Sequence, residues 1–386
     1  MSRRLVTVRK ISDVQPIKGA DRIEIALVDG WQCIVKKGDF EKGQLGVFFE
    51  IDSFLPAEDP RWAFLESNFI NWNGQRGFRV KSQKMRGQIS QGLLIPLGDF
   101  SEVAGVLEKL EDEHGRTEAE RLMQESSFES VLKVQKWEAM DNKMSGASAV
   151  PTEPMPFFIR KTDQERCQNL PHVFEEWKNE IFQESTKMDG SSMTVYFVRN
   201  DSDNFQHLPE VDAAAQPTVV QPNGRFGVCS RNVDIAEDDH DSDAGGPQYW
   251  RVARKNQLAE RLSKLNRSLA VQGELCGASV QGNFEGFPAG FHDLFVFAVW
   301  DIDAQRYLPP RETEALAGQL GLRHVPVVGY FPLREIATSV PELLKRAEGV
   351  GLNKRKREGI VLKHVGSDFG FKAISNSYLL KHGECD

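Results

Sequence analysis

The chain has 386 residues, 40% apolar and 27% charged, with a formal net charge of −8 at pH 7. This length accommodates two or three globular domains with substantial cores, and the composition excludes collagenous, coiled-coil and wholly disordered classes. The acidic balance excludes a generic polyanion binder, so any affinity for nucleic acid must come from local patches.

The first hundred residues read as β structure. Ile23, Ile25 and Leu27 alternate with charged or small residues, the period of a half-buried strand. Asp29-Gly30 marks a turn into a second arm from Gln32 to Lys36, and Leu45 to Ile51 forms the next apolar strand. Short strands at this spacing predict a small OB-like β-barrel over residues 1–104. No acidic residue lies between Glu66 and Asp99, whereas Arg76, Arg79, Lys81, Lys84 and Arg86 crowd the middle beside Trp72 and Phe78. This is the one basic, aromatic-containing stretch of the barrel region. Residues 105–140 are rich in Glu, Leu and Ala and read as helical, and Ser145 to Pro156 reads as a linker, so residues 105–156 form a connecting segment.

Residues 157–386 are read as a second, mixed α/β domain, which makes the fold class α+β. Thr162-Asp163-Gln164-Glu165 has capping-box spacing and predicts a helix through Asn169. Ser192 to Val198, Arg225 to Ser230, Leu269 to Glu274, Leu294 to Ile302 and Gly359 to Lys363 read as strands. Tyr249 to Leu265, Glu312 to Leu320 and Pro341 to Val350 read as helices, and Glu237 to Asp243 reads as a solvated acidic loop. The longest apolar stretch, between Asp293 and Asp301, is far too short for a membrane span. The five cysteines (Cys33, Cys167, Cys229, Cys276 and Cys385) form no C-x-x-C pair, which argues against a zinc ribbon or a disulfide framework. With no secretory pattern after Met1, a soluble, reduced, intracellular protein is expected.

The sharpest local signal is Lys187-Met188-Asp189-Gly190. An amine can attack a phosphorus, a carboxylate two residues later can orient a metal or its waters, and the glycine permits a tight backbone path. Alone the tetrapeptide is weak, arising by chance in roughly one chain in ten of this length, and then it reads as an exposed turn. Its company is more informative. Downstream, in order, come Ser230-Arg231-Asn232, Gly273-Glu274-Leu275, Phe297-Ala298-Val299-Trp300-Asp301, Glu358-Gly359-Ile360-Val361-Leu362-Lys363 and Phe371-Lys372-Ala373.

In these segments the chain resembles the covalent nucleotidyltransferases, that is, ATP-dependent ligases and messenger-RNA capping enzymes. It is most similar to nick-sealing RNA ligases of the Deinococcus type, which place an OB domain ahead of a mixed antiparallel, ATP-grasp-like ligase domain. Residues 5–55, Arg86 to Gly92 and Lys161 to Arg166 also look like that group. The resemblance implies that Lys187 attacks the α-phosphate of ATP and carries AMP through a phosphoamide bond, with its pKa lowered by nearby cations and desolvation. It implies that Asp189, Glu274 and Glu358 surround Mg2+ or Mn2+ through its waters. Trp300 and Val361 then cover the two faces of adenine, Arg231 meets the ribose or the 3′ end, and Lys363 and Lys372 hold phosphate oxygens, with Arg166 as a further phosphate contact. The chain departs from the pattern at Ile374, where many relatives have a second lysine; Lys372 then works alone or Lys381 contributes. Thr186 and Ser192 also differ from some relatives.

The implied partners are ATP and a nicked RNA duplex or RNA/DNA hybrid, handled by a monomer without a membrane. The alternatives are a GTP-dependent capping guanylyltransferase and a non-catalytic nucleic-acid-binding protein with a ligase-like domain.

Overall fold

The computed structural model describes residues 4–138, 152–212, 216–237 and 248–382. The chain opens with a five-stranded antiparallel sheet made of β1 (Val6–Pro16), β2 (Ile23–Val28), β3 (Trp31–Lys36), β4 (Leu45–Phe49) and β5 (Leu93–Pro96), in the order β5-β4-β1-β2-β3. Alternation decides its faces. In β3 the side chains of Trp31, Cys33 and Val35 are buried while Gln32, Ile34 and Lys36 are not, as a period of two requires. The sheet curls because residues just ahead of β5 reach across to β3. Gln91 N–H donates to Gln32 O at 2.8 Å, and Ile34 N–H donates to Ser90 Oγ at 2.9 Å. Inside the curl lie Ile11, Ala26, Val28, Trp31 and Phe48. On the other side of the sheet Val6, Val8, Val47 and Phe49 pack against Trp62, Phe100 and Val103. That second core is capped by α1 (Ser101–His114) and α2 (Arg116–Glu125), within the stretch read as helical, whereas residues 126–138, also read as helical, are turns and a short strand at Gln135–Lys136.

The basic stretch divides into two parts. Arg79 is buried in an ion pair with Asp52 at 2.6 Å and lies 3.4 Å from the centre of the Trp137 ring. Arg76 pairs with Glu66. Lys81, Lys84 and Arg86 stay exposed on the small hairpin of Gln83–Met85 and Gln88–Ser90. Most of the expected linker, and Cys385, lie outside the described residues. Its end, Thr152–Pro154, is a strand paired with Val233–Ile235.

The rest of the chain forms two facing sheets. The first has five strands in the order β6-β14-β13-β7-β12: β6 (Glu165–Arg166), β7 (Ile181–Lys187), β12 (Val327–Pro332), β13 (Gly359–His364) and β14 (Gly370–Ile374). The second is nine-stranded, and its centre is β9 (Gly224–Cys229), β8 (Ser191–Arg199), β10 (Leu269–Gly277) and β11 (His292–Asp301). The capping-box helix does not form. Glu165 and Arg166 instead pair in parallel with Phe371 and Lys372, and the Glu165 carboxylate accepts from the Arg166 N–H and from Asn169. A strand partner some two hundred residues away outcompetes the local cap.

Outer faces are apolar and covered by helices. Met193, Val195, Phe226, Val271 and Val296 meet α3 (Tyr249–Lys255), α4 (Leu258–Leu265) and α5 (Pro310–Gln319). The single helix expected over 249–265 breaks at Gln257, whose φ of 53° is left-handed. Glu237 is not part of a solvated loop but a buried carboxylate paired with Arg254 at 3.2 Å; residues 238–243 lie outside the described residues. On the five-stranded sheet, Phe182, Ile360, Leu362, Phe371 and Ala373 pack against α6 (Val340–Ala347). The chain's described part ends in α7 (Asn376–His382). Among the described residues no helix is long and apolar enough to cross a membrane. The four described cysteines are buried thiols.

Candidate active site

With the outer faces occupied by core, the inner faces define a cleft, and β-sheet register states which side chains enter it. Lys187 pairs with Gly359, Ser185 with Val361 and Gln183 with Lys363; Val361 pairs in turn with Lys372. Directly paired residues share a face, so Lys187, Val361, Lys363 and Lys372 stand on one side of one sheet. Arg166, paired with Lys372, extends the row. Across the cleft, Ser192 pairs with Glu274 and Thr194 with Gln272.

Lys187 is not in bulk solvent. Its Nζ lies 2.7 Å from Glu358 Oε1, and both side chains are largely buried. A buried ion pair is costly to disrupt from one side alone, so each group fixes the other. Asp189 is held from elsewhere: Tyr378 Oη, on α7, donates to Asp189 Oδ1 at 3.0 Å. Gly190 is needed for space and not for an unusual turn. A Cβ there would sit 2.4 Å from Leu275 O, 2.8 Å from Glu274 Cγ and 2.9 Å from Cys276 Sγ. The glycine thus lets the segment after Lys187 lie directly on β10.

Four carboxylates converge. The thiol of Cys276 is raised far above its usual range by burial first, and then by Glu274, Glu285, Asp189 and Glu358 acting together. Glu285 was not anticipated. It is 1% exposed, and burial together with the charges of Asp189 and Glu358 pushes it up to about 7, against a lowering contribution from the Asp189 backbone N–H. It lies between the sequence segments that drew attention, so only the fold could find it. Among the described residues no three acids, histidines or cysteines are grouped for direct metal ligation. An all-oxygen cluster of this kind fits a hydrated divalent ion held mainly through its waters, as Mg2+ prefers.

Lys363 Nζ donates to Phe297 O and lies 5.4 Å from the Phe297 ring centre; burial lowers it to about 8. Trp300 belongs to a different environment. Its ring is buried with Ala270 and Tyr196, sits 4.8 Å from Tyr307, and its Nε1 donates to Phe158 O at 3.0 Å. The half-buried aromatic beside Lys363 is Phe297. Lys372 is buried, with Asp163 at 3.9 Å. Arg231 lines a polar pocket next to Gln272, and Arg166 is buried with its guanidinium 5.8 Å from the Trp31 ring centre. Ile374 is core, packed with Tyr378 and Leu379, while Lys381 is exposed on α7. Thr186 is buried and its N–H donates to Pro326 O.

The family model described as RNA ligase matches residues 180–375, the span that carries both sheets of the cleft. The chain belongs to the RNA ligase family. An OB-fold domain model matches residues 5–97. Among solved structures, a point mutant of Naegleria gruberi RNA ligase with AMP and Mn is 37% identical, with 98% of each chain covered and a TM-score of 0.78. A mutant of the same enzyme with ATP and Mn is 36% identical over 99% of this chain and 100% of that one, with a TM-score of 0.79. Its complex with PPi is 37% identical over 98% of each chain, at a TM-score of 0.78. No curated protein sequence matches. In this RNA ligase, then, Lys187, Asp189, Glu274, Glu358, Lys363 and Lys372 share one cleft, Glu285, Tyr378 and Phe297 join them, and Trp300 does not.

Proposed function

We propose that the chain is an ATP-dependent RNA ligase that joins 3′-hydroxyl and 5′-phosphate ends at nicks through a covalent lysyl-AMP. The observation that carries this reading is the Lys187 amine, 2.7 Å from Glu358 and on the same sheet face as Lys363 and Lys372, in a chain of the RNA ligase family. The relatives solved with ATP, AMP and Mn support the same nucleotide and a divalent cation here.

In the first step Lys187 Nζ attacks the α-phosphorus of ATP; the P–N bond forms as the bond to pyrophosphate breaks. Glu358 Oε1 orients the amine and is an acceptor within reach of the proton it must lose. Lys363 and Lys372 bear on phosphate oxygens where negative charge grows in the transition state. Phe297 and Val361, in place of Trp300 and Val361, cover the base. When bound among Asp189, Glu274, Glu358 and Glu285, Mg2+ or Mn2+ supplies charge that neutralises these acids and lowers the amine pKa. AMP then passes from Lys187 to the 5′-phosphate, and the 3′-hydroxyl attacks that phosphate and releases AMP.

Residues 1–104 serve as a nucleic-acid-binding barrel whose exposed Lys81, Lys84 and Arg86 contact phosphates. Residues 105–156 connect it to a catalytic domain over 157–386. The substrate is a nicked RNA duplex or RNA/DNA hybrid, and the enzyme acts as a monomer.

Incubation with α-phosphate-labelled ATP and Mg2+ or Mn2+, followed by a denaturing gel, tests the reading. Label is expected on the wild type and absent from Lys187→Ala, and labelled GTP is expected to give none. An unlabelled wild type, or label retained by Lys187→Ala, ends the proposal.

A further inference from the structure

Four consecutive cations, Lys354, Arg355, Lys356 and Arg357, stand directly before Glu358, and the lysyl-AMP chemistry uses none of them. The fold divides them. Arg357 is buried, and its guanidinium donates to Ala347 O and Arg346 O at the end of α6. It roots a loop on which the other three cations are exposed. That loop has a fixed shape. Gly351 N–H donates to Arg355 O at 2.8 Å and Arg355 N–H to Leu352 O at 3.1 Å, which closes a tight turn. Asn353 Nδ2 donates to Glu285 O at 3.0 Å, and Arg355 Nη1 donates to Phe284 O at 3.4 Å. The turn is thereby fastened to the segment that carries Glu285, beside the acid cluster, with its lysines in solvent.

Backbone geometry is an independent observation. Asn353 and Lys354 are both left-handed, with φ of 52° and 59°. Asparagine suits that region and lysine does not, so the loop keeps a cation where the backbone disfavours one. The barrel hairpin of Gln83–Met85 and Gln88–Ser90 does the same. Its two-residue turn is Arg86-Gly87, with φ of 50° and 83°. Asn-Gly is the favoured pair for such a turn, yet the first position holds an exposed arginine. Strain at an exposed cation that the fold itself does not need points to function. The roots of the two tips are also neighbours, because residues 375–377, where α7 begins, touch both. Gln91, one residue beyond the hairpin, donates from Nε2 to Asn376 Oδ1 at 3.3 Å. Ser375 N–H donates to Glu358 O at 2.8 Å, at the base of the loop.

We propose that Lys354 and Lys356 contact backbone phosphates of the nucleic-acid substrate, so that the loop before Glu358 and the Lys84–Arg86 hairpin hold one duplex from two sides of the start of α7. The inference rests on the RNA ligase reading for the identity of the polyanion. A chain of net charge −8 repels a polyanion as a whole, so phosphate contacts fall to exposed cations that the fold sets apart from its acids. Two such tips with a short segment between their roots suit a strand of regularly spaced phosphates. Contacts of this kind fix the position of the duplex on the protein and carry no sequence information. Glu358, two residues after Lys356, is the partner of Lys187, so a duplex seated on the loop lies next to the adenylylated amine.

Equilibrium binding tests this without catalysis. Full-length wild type, Lys354→Asn, Lys356→Gln and Arg86→Asn are titrated with a nicked RNA duplex over a range of salt concentrations. Asparagine fits the left-handed backbone and removes the charge, so Lys354→Asn and Arg86→Asn are expected to resist urea at least as well as the wild type. Each variant is expected to bind the duplex roughly fivefold to tenfold more weakly at about 0.1 M salt, and to reduce the slope of log K against log salt by about one. Combining Lys354→Asn with Arg86→Asn is expected to reduce it by about two, and Lys354→Arg, which keeps the charge, to bind as the wild type does. A slope unchanged in both Lys354→Asn and Lys356→Gln overturns the inference, as does a wild type that binds no duplex. It is also overturned if duplex binding stays intact while Lys187 labelling needs more ATP, which would assign the loop to the triphosphate. Should Lys354→Asn prove unstable, Lys356→Gln decides alone, since Lys356 lies outside the left-handed region. Labelling of wild-type Lys187 is scored separately: weaker duplex binding by the variants of an unlabelled protein ends the ligase reading and leaves this one standing.

Discussion

Gly190 illustrates how little freedom single positions around Lys187 have. The 2.4 Å approach of its missing Cβ to Leu275 O involves backbone, which cannot swing aside as a long side chain can. Gly190→Ala must therefore push the Lys187–Asp189 segment off β10. The expected cost is about 1–3 kcal/mol in urea denaturation, together with loss of most Lys187 labelling. Wild-type labelling in a stable Gly190→Ala protein would show that the close packing is incidental. Asp234 offers a pH test remote from the acid cluster. Burial, opposed by hydrogen bonds from Tyr196 Oη at 2.5 Å and from Cys229, raises its carboxyl from 3.8 to about 6. The folded chain thus holds this proton more tightly than the unfolded one, so the group's contribution is most favourable below pH 4 and is lost as pH rises through 6. Above pH 6 the penalty approaches about 3 kcal/mol. Asp234→Asn removes it, so the stability gain of the variant over wild type is expected to grow by about 1 kcal/mol from pH 5 to pH 8. Denaturation curves that shift equally at both pH values contradict this account.

At the scale of elements, α7 shows why a chain end matters to the chemistry. Ile374 stands where a second lysine was looked for, and its side chain is the floor on which Tyr378 and Leu379 pack, with Phe284 edge-on to Tyr378 at 5.0 Å. That packing aims the phenol at Asp189. Tyr378→Phe keeps the ring and removes the hydrogen bond, so the rate of Lys187 labelling is expected to fall roughly tenfold with the helix still folded. An unchanged rate over a range of Mn2+ concentrations would assign α7 a purely structural role. Neither Tyr378 nor Glu285 was legible beforehand, because each acts through a contact that the chain makes only once folded. β2, β3 and β8 lie where strands were read, although the alternation of Ile23, Ile25 and Leu27 named the wrong core face of β2, which is Ala26 and Val28, and Lys187, Glu358, Lys363 and Lys372 do meet in one cleft. Misreadings arose where pairing breaks the local rule. Residues 162–169 carry a capping box but serve β14 as a strand neighbour. In β11, Gly273 pairs with Val296 and Gln272 with Ala298, which leaves Phe297 as the extra residue of a bulge. The bulge sets Trp300 opposite Ala270, on the face of Gln272 and Glu274, but Phe158 and Tyr307 cover it there, and the aromatic beside Lys363 is Phe297 and not the Trp300 that the resemblance implied.

For the molecule as a whole, the barrel is keyed to the catalytic sheets through a few polar contacts at one short segment. Gly30 N–H donates to Gln168 O at 2.9 Å, Trp31 Nε1 to Asn169 Oδ1 at 2.6 Å, and Asn169 Nδ2 to Glu50 Oε2 at 3.0 Å. Gln91 adds a contact to Asn376 at the start of α7. The segment receiving the barrel follows directly on β6, whose Arg166 pairs with Lys372, so the docking surface and the Lys372 side of the cleft are one strand apart. Gly30 controls the fit: a Cβ there would lie 2.7 Å from Gln168 Cα and 2.9 Å from Val340 Cγ1, leaving no room for a side chain. Gly30→Val leaves the two barrel clusters without a direct clash, since neither contains Gly30 or Val340, and presses on Val340 at the edge of the core between α6 and the five-stranded sheet. It is expected to weaken the coupling between barrel and catalytic unit by about 1–3 kcal/mol, seen in calorimetry as a lower-temperature transition separating from the main one. Polar interfaces between units of one chain are weak enough for such a loss to uncouple them. A Gly30→Val protein that melts in the wild-type pattern at the wild-type temperature would mean that the two units are held together elsewhere.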